Sequence, residues 1–232
     1  MSDIEAIYSD DDILVINKPS GVLSIADGYN ADIPHLRSLL EPDFGRLWMV
    51  HRLDKESSGV MVLARNAQAH KSLNQQFKER LVEKIYHALV FPCPKWQSQV
   101  IDLPLSINTG RKHLTRVDFE KGKPAYSHFK VLNISSSCCL LECAITTGYR
   151  HQIRAHLYQL GIGILGDPLY CPPQNHWKAH SFARMMLHAS RISFSHPIKN
   201  FSVSFSAKTP DLFFDLLETT FPTDWDTDAS LT

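Results

Sequence analysis

The side chains most able to do chemistry lie in one short polar segment, His51-Arg52-Leu53-Asp54-Lys55-Glu56-Ser57-Ser58. Asp54 stands between Arg52 and Lys55, and the serines that follow lead into Gly59 with the composition of a turn. A loop that is held against a sheet is a common place for a reactive group. Asp54 could therefore act as a nucleophile or a base, although a loop aspartate more often bonds the local backbone or a nearby cation.

A second polar segment, Thr146 to Leu157, carries two arginines at the start of an expected helix. Arg150 and Arg154 are four residues apart, so they lie one helical turn apart on the same side. Guanidinium groups in this arrangement suit a carboxylate or a phosphate that comes from elsewhere. The alternative interpretation is a basic helix face that is simply solvated.

The apolar runs around these segments predict the elements that position them. Val60–Ala64 is short, apolar and bounded by turn residues, which predicts a buried strand. Periodic apolar residues predict a helix from Asn66 to about Arg80, and Asp32 could cap a shorter helix that ends at Leu40. Further strands are expected at 13–16, 84–90, 114–120, 125–134, 140–145 and 201–205, and further helices up to Leu160 and at 211–220. Consecutive strands with short connections favour an α+β fold with a mixed, mainly antiparallel central sheet and flanking helices.

The composition is that of a folded protein. With 232 residues, of which 44% are hydrophobic and 21% charged, the chain suits a single domain over 1–232 or two closely packed lobes. No stretch approaches the roughly 18 apolar residues of a membrane helix, and the N-terminus lacks a signal-peptide pattern. The five cysteines include no Cys-x-x-Cys pair, which predicts free thiols and no zinc site. We therefore expect a cytoplasmic protein.

The charge is unevenly distributed although the formal net charge is zero. Residues 1–12 carry five acids and residues 210–232 carry six, and neither segment has a Lys or Arg. The body, 13–209, therefore has a net charge of +11. Such a body can bind phosphates by releasing counterions, but ordinary surface charge would look the same. An acidic tail is expected from about residue 223.

Several motifs, which together span about residues 8 to 210, resemble the RluA family of pseudouridine synthases. The His-Arg-Leu-Asp run with its Ser-Gly and apolar strand is similar to the family's catalytic motif, and the family's catalytic Asp falls on Asp54. The family's other motifs are similar to Asn17-Lys18-Pro19-Ser20-Gly21, to Lys84-Ile85-Tyr86 and to Thr147-Gly148-Tyr149-Arg150-His151-Gln152-Ile153-Arg154.

The resemblance implies a pseudouridine-synthase-like catalytic domain that isomerises uridine in structured RNA. It implies that Arg154 pairs with catalytic Asp54 through two parallel hydrogen bonds. It also implies that Tyr86 stacks on the flipped-out uracil and acts in proton transfer. No metal or other cofactor is expected, because the isomerisation is redox-neutral. The residues expected to bind RNA are Lys18, Arg52, Arg150 and His151.

The length and the segments Asp102–Leu105 and Tyr170–Pro172 are most similar to the RluA subgroup itself, and the chain leaves no room for the S4-type RNA-binding module of other members. Enzymes of this subgroup modify the tRNA anticodon stem-loop and a large-subunit ribosomal RNA hairpin. We therefore expect tRNA, rRNA or both as partners, no membrane or DNA partner, and a monomer. Tyr149 stands where the family usually has Arg, so the contribution of this position is open.

Other interpretations are weaker. The His-Arg-Leu-Asp run is also found in kinase catalytic loops, but no Asp-Phe-Gly or phosphate loop accompanies it. Gly161 to Gly166 matches a dinucleotide pattern, yet an expected helix precedes it where a strand is required. His151 and His156 are five apart, unlike a zinc-binding pair on one helix face. A catalytically silent RNA-binding protein of the same fold remains the main alternative.

Overall fold

The computed structural model describes residues 4–28, 30, 32–110, 113–173 and 182–219. The helices are α1 (Leu36–Phe44), α2 (Ala67–Lys78), α3 (Gln152–Gln159) and α4 (Asp211–Glu218). The strands are β1 (Glu5–Ser9), β2 (Ile13–Lys18), β3 (Trp48–Met49), β4 (Ser58–Ala64), β5 (Glu83–Phe91), β6 (Ser98–Asp102), β7 (Leu105–Thr109), β8 (Leu114–Val117), β9 (Tyr126–Ile134), β10 (Cys139–Ile145), β11 (Gly163–Ile164), β12 (Leu187–Ser195) and β13 (Ser202–Ser206). Two compact units result, one from the described residues of 1–86 and 188–209 and one from those of 87–187 and 210–219.

The first unit contains strands in the order β1-β2-β4-β12, with β13 paired to β12 and β3 paired to β4. β2 and β4 are antiparallel, whereas β4 and β12 run parallel where Ser58 lies opposite His188. All seven residues of β4 are buried, as expected for a continuous apolar strand. α2 begins at Asn66, whose side chain accepts a hydrogen bond from the N–H of Ala69 at 2.8 Å.

The second unit contains strands in the order β5-β10-β9-β6, with β11 paired to β5, and a separate hairpin of β7 and β8. α3 packs against β8 and β11. A small core joins these elements and consists of Leu105, Ala125, Ala155 and Tyr170. Tyr149 packs against this core, so the position where the family usually has Arg contributes apolar contact area here.

The structure confirms the predicted α+β fold with its mainly antiparallel strands. The helix from Asn66 and the strands near residues 13, 60, 84, 126 and 140 are also confirmed. α1 begins later than predicted and is capped by His35, not Asp32, because Pro34 disfavours a helical conformation at Ile33. The five cysteines are free, as predicted. None of the described helices is long and apolar enough to cross a membrane. The acidic tail lies outside the described residues, and the single catalytic domain stays a prediction.

Candidate active site

The backbone around Asp54 is fixed by hydrogen bonds to its carbonyl groups. The carbonyl of Asp54 accepts the N–H of Ser57 at 3.2 Å, which closes the turn that the sequence predicted. The next carbonyl, of Lys55, accepts the N–H of Gly21 at 2.7 Å, and that of Glu56 accepts the hydroxyl of Ser20 at 2.6 Å. The Asp54 side chain, which is half-buried, therefore projects from a loop with little conformational freedom.

Lys18, a predicted RNA-binding residue, belongs to the support of this loop. Its ammonium donates to the carbonyls of Pro19 at 2.9 Å, Val22 at 2.7 Å and Lys55 at 3.2 Å, and the side chain is fully buried. Three carbonyl acceptors match the three donors of an ammonium group. This geometry favours a role in holding the backbone beside Asp54 over the predicted contact with an RNA phosphate.

His51 ties the start of the motif to β4. Its Nε2 accepts the N–H of Val62 at 3.1 Å, and its ring stacks on Phe77 with the centroids 4.8 Å apart. Burial, together with the charge of Lys84, lowers the pKa of His51 to about 3. The ring is therefore neutral at physiological pH, which the accepted hydrogen bond also requires.

The other end of the motif is locked to β12. The Ser58 hydroxyl and His188 Nδ1 are 2.7 Å apart, and both side chains are buried. His188 Nε2 lies 3.2 Å from the carbonyl of Ala207, so Nε2 carries the proton and Nδ1 accepts from Ser58. A Cβ on Gly59 would lie 2.2 Å from the carbonyl oxygen of Ala189, so only glycine allows the two strands to approach this closely.

The start of α3 in the second unit is held by a directed hydrogen-bond network. The carbonyl oxygen of the Gln152 side chain accepts the hydroxyl of Thr147 at 2.8 Å and the N–H of Tyr149 at 3.2 Å. Its amide group donates to the Ser127 hydroxyl at 3.0 Å, and that hydroxyl lies 2.9 Å from His156 Nδ1. The network fixes the loop that leads into the helix carrying Arg154.

Arg154 is buried and makes two parallel hydrogen bonds with Asp167, a partner that the motifs did not predict. Nε donates to Oδ2 and Nη2 donates to Oδ1 of Asp167, each at 2.7 Å. The guanidinium also lies over the ring of Tyr170, 4.9 Å from its centroid. This edge of the guanidinium is therefore held by Asp167, whereas the pairing of Arg154 with Asp54 stays a prediction.

Arg150 and His151 precede α3 and differ in accessibility. Arg150 is half-buried and donates from Nη1 to the Asn108 side chain on the β7–β8 hairpin at 2.7 Å. His151 is buried, and its two ring nitrogens face Arg150 Nε at 3.3 Å and the Tyr170 hydroxyl at 3.1 Å. Tyr170 in turn accepts the N–H of Thr115 at 2.7 Å. These contacts favour a structural role for His151 over the predicted RNA contact.

The remaining predicted residues lie in the first unit. Arg52 is exposed next to the Asp54 loop, as an RNA-binding cation must be. Tyr86 is buried in β5. The structure thus brings Lys18, Arg52 and Asp54 together in one loop system and places Arg154 on α3 of the other unit.

Within the described residues, one group has the spacing of a metal site: Asp10, Asp12 and His196 offer ligand atoms within 4.8 Å of one another. However, the Lys199 ammonium lies 2.9 Å from Oδ2 of Asp10, on the same oxygen that contacts His196. Burial works to raise the pKa of Asp10, but hydrogen bonds from Lys199 and from the backbone N–H groups of Ile13 and Asp12 outweigh it and hold that pKa well below its usual range. The carboxylate of Asp10 is therefore already paired with the Lys199 ammonium.

Comparison with known proteins gives a consistent result. The chain matches the RNA pseudouridylate synthase family over residues 12–159. It is 33% identical to ribosomal large subunit pseudouridine synthase D of Zymomonas mobilis, over 92% of this chain and 73% of that protein. It is 37% identical to the dual-specificity RNA pseudouridine synthase RluA of Vibrio parahaemolyticus, over 83% of this chain and 78% of that protein. The solved structure of human RNA pseudouridylate synthase domain containing 1 is similar with a TM-score of 0.76 and 27% identity, covering 93% of this chain and 86% of that one.

Proposed function

The chain belongs to the RluA family of RNA pseudouridine synthases, and on that premise we propose that Asp54 is its catalytic residue. The enzyme is an isomerase that converts uridine in RNA to pseudouridine. One observation carries the assignment of Asp54: the three carbonyls from Asp54 to Glu56 are all hydrogen-bonded within the protein. A reactive carboxylate gains most from such a fixed backbone, because small displacements of a catalytic group cost large factors in rate.

The proposed reaction begins with a uridine that is turned out of the RNA at a cost of a few kcal/mol. The bond between C1′ of the ribose and N1 of the uracil breaks, the base rotates, and C5 bonds to C1′. C5 then loses its proton, and N1 carries one in the product. Asp54 acts as an ionised carboxylate, either as nucleophile at the sugar or as base there.

Arg154 and Tyr86 complete the proposed catalytic group. A guanidinium beside Asp54 would favour its ionised form and orient it. The fork between Arg154 and Asp167 supports this role, because it fixes the plane of the guanidinium before any RNA binds. Tyr86 would stack on the extruded uracil, since base–aromatic stacking is worth about 1–3 kcal/mol per base. The redox-neutral chemistry requires no cofactor in this proposal.

The substrates we propose are the tRNA anticodon stem-loop and a large-subunit ribosomal RNA hairpin. Two relatives support this choice, one named for the large ribosomal subunit and the other for dual specificity on RNA. Loop nucleotides are favoured targets, because their bases are less stacked and cheaper to flip. Arg52 and Arg150 are the cations that we assign to the RNA backbone. We further propose a monomeric enzyme that acts in the cytoplasm.

Tritium release from RNA that carries 5-³H-uridine tests both the activity and the residue. We expect the wild type to release tritium from a tRNA transcript, from a ribosomal RNA transcript, or from both. Asp54→Asn should bind the same transcript with an unchanged Kd and release none. Residual release by Asp54→Asn would refute the role of Asp54, and release from neither transcript by the wild type would favour a silent RNA-binding protein.

A further inference from the structure

The residue before Asp54 is held on both of its backbone groups by a single side chain. The Ser24 hydroxyl oxygen accepts the N–H of Leu53 at 3.1 Å and donates to the carbonyl of Leu53 at 2.7 Å. Ser24 is 2% exposed and Leu53 is 4% exposed, so water does not compete for these bonds. A hydroxyl can make both bonds at once because it has one donor and two acceptor positions.

The two hydrogen bonds between Ser24 and Leu53, called the Ser24 bracket below, orient the backbone at Asp54. The carbonyl of Leu53 belongs to the same planar peptide group as the N–H of Asp54, so holding that carbonyl fixes the plane on the N-terminal side of Asp54. The plane on its C-terminal side is held through the bond between the Asp54 carbonyl and Ser57. With both planes fixed, the backbone angles of Asp54 and the direction of its Cα–Cβ bond are restricted.

We infer that Ser24 is a positioning residue for the isomerisation, acting on Asp54 through Leu53. The inference rests on the proposed role of Asp54. Ser24 is buried and therefore does not contact RNA, so its loss should lower the rate of turnover without weakening substrate binding. Misplacement of a catalytic group by about 1 Å costs on the order of 100-fold in rate, so we expect kcat to fall by about 10- to 100-fold in Ser24→Ala.

The same unit contains a matched control, because Gln76 brackets another backbone position in the same way. Its amide nitrogen donates to the carbonyl of Ser195 at 2.9 Å, and its amide oxygen accepts the N–H of Ser195 at 2.9 Å. Gln76 is 9% exposed and lies on α2, and its bracket holds the end of β12, not the Asp54 loop. Gln76→Ala thus removes two comparable bonds and should lower the melting temperature while leaving kcat unchanged.

The experiment measures kcat and KM by tritium release, RNA Kd by filter binding and melting temperature for wild type, Ser24→Ala, Gln76→Ala and Asp54→Asn. The RNA is whichever labelled transcript the wild type modifies. Ser24→Cys is included because a thiol keeps the side-chain volume but is a weak hydrogen-bonding group, which separates the bonds from the packing. Ser24→Thr keeps the hydroxyl and should recover most of the lost kcat.

The expected result is a low kcat with an unchanged Kd in Ser24→Ala and Ser24→Cys, and a wild-type kcat in Gln76→Ala. Equal kcat values for Ser24→Ala and Gln76→Ala would overturn the inference, and so would a loss of RNA binding in place of turnover. If Ser24→Ala does not fold, Ser24→Cys decides by the same criteria. An active Asp54→Asn would instead refute the proposed function, so the two failures are distinguishable.

Discussion

Replacing Asp167 by Asn should strongly destabilise the enzyme, because this change removes the charge of a fully buried carboxylate. Asp167 is fully buried, and Arg154 is 1% exposed. Asp167 Oδ1 accepts hydrogen bonds from Arg154 Nη2 at 2.7 Å and from the N–H groups of Leu169 at 2.8 Å and Tyr170 at 3.1 Å. Asp167 Oδ2 accepts one from Arg154 Nε at 2.7 Å. An Asn oxygen can replace one of these atoms, but the amide NH₂ then faces an N–H donor.

The magnitude follows from the loss of charge compensation. Removing one partner of a buried ion pair costs about 3–5 kcal/mol, because the remaining charge loses the hydrogen-bonded countercharge that offset its burial. For a chain of this size, 1 kcal/mol corresponds to roughly 2–4 °C in melting temperature, so Asp167→Asn should melt roughly 6–20 °C below the wild type. Turnover should fall as well, because the guanidinium of Arg154 is no longer held in a fixed plane.

Thermal and urea unfolding of Asp167→Asn against wild type test this reasoning, and an apolar double variant is the control. Arg154→Met combined with Asp167→Leu removes both charges, so it should recover part of the lost stability while remaining inactive. The recovery is partial because the N–H groups of Leu169 and Tyr170 still lose their acceptor. If Asp167→Asn unfolds within about 1 kcal/mol of the wild type, the fork does not carry the energy that a buried pair implies.

Two further changes act in the first unit. Gly59→Ala should prevent folding, because the added Cβ would lie 2.2 Å from the Ala189 oxygen at a backbone φ of +116°. Gly21→Ala is the control, because Gly21 also has a positive φ, +88°, but no atom lies within 4 Å of the added Cβ, so this variant should remain soluble and folded. Equal solubility of the two variants would show that the close approach of β4 and β12 does not require Gly59. His51, with its pKa lowered to about 3 by burial, favours the neutral ring in the folded state. The unfolded chain binds a proton at His51 below a pKa of about 6.5, whereas the folded chain does so only near pH 3. The contribution of His51 to stability is therefore complete above about pH 6.5 and is lost as the pH falls toward 3. The free energy of unfolding should drop by about 2 kcal/mol between pH 7 and 5. His51→Gln should remove this part of the urea-measured pH dependence, and an unchanged slope would refute it.

The elements that position the candidate site were largely predictable from the sequence. Apolar runs predict β2 and β4, and the periodic apolar residues after Asn66 predict α2. The start of α1 was missed because the restriction that Pro34 imposes on Ile33 outweighs the capping preference of Asp32. The sequence pattern also does not show where the two compact units divide, because the chain passes from one unit to the other within β5 and within β12, with no linker between them.

The reactive residue was easier to predict than its supports. Asp54 stands among several charged residues, and such a cluster can be recognised from the sequence alone. Neither Ser24 nor Asp167 stands in a comparable group of charges, and their partners lie 29 and 13 residues away in the chain. The burial of Lys18 and His151 was missed for the same reason, since ionisable side chains are mostly expected at the surface.

The two supports share a physical logic. Each one satisfies polar groups that folding has removed from water: Ser24 satisfies the backbone of Leu53, and Asp167 satisfies the guanidinium of Arg154. A buried polar group without a partner costs free energy, so each contact both stabilises its unit and leaves the supported residue with one favourable orientation. Stability and catalytic geometry are therefore coupled at Asp167 and Ser24, whereas at Gln76 the same kind of bracket serves stability alone. Comparing kcat with melting temperature across these three positions separates the two effects.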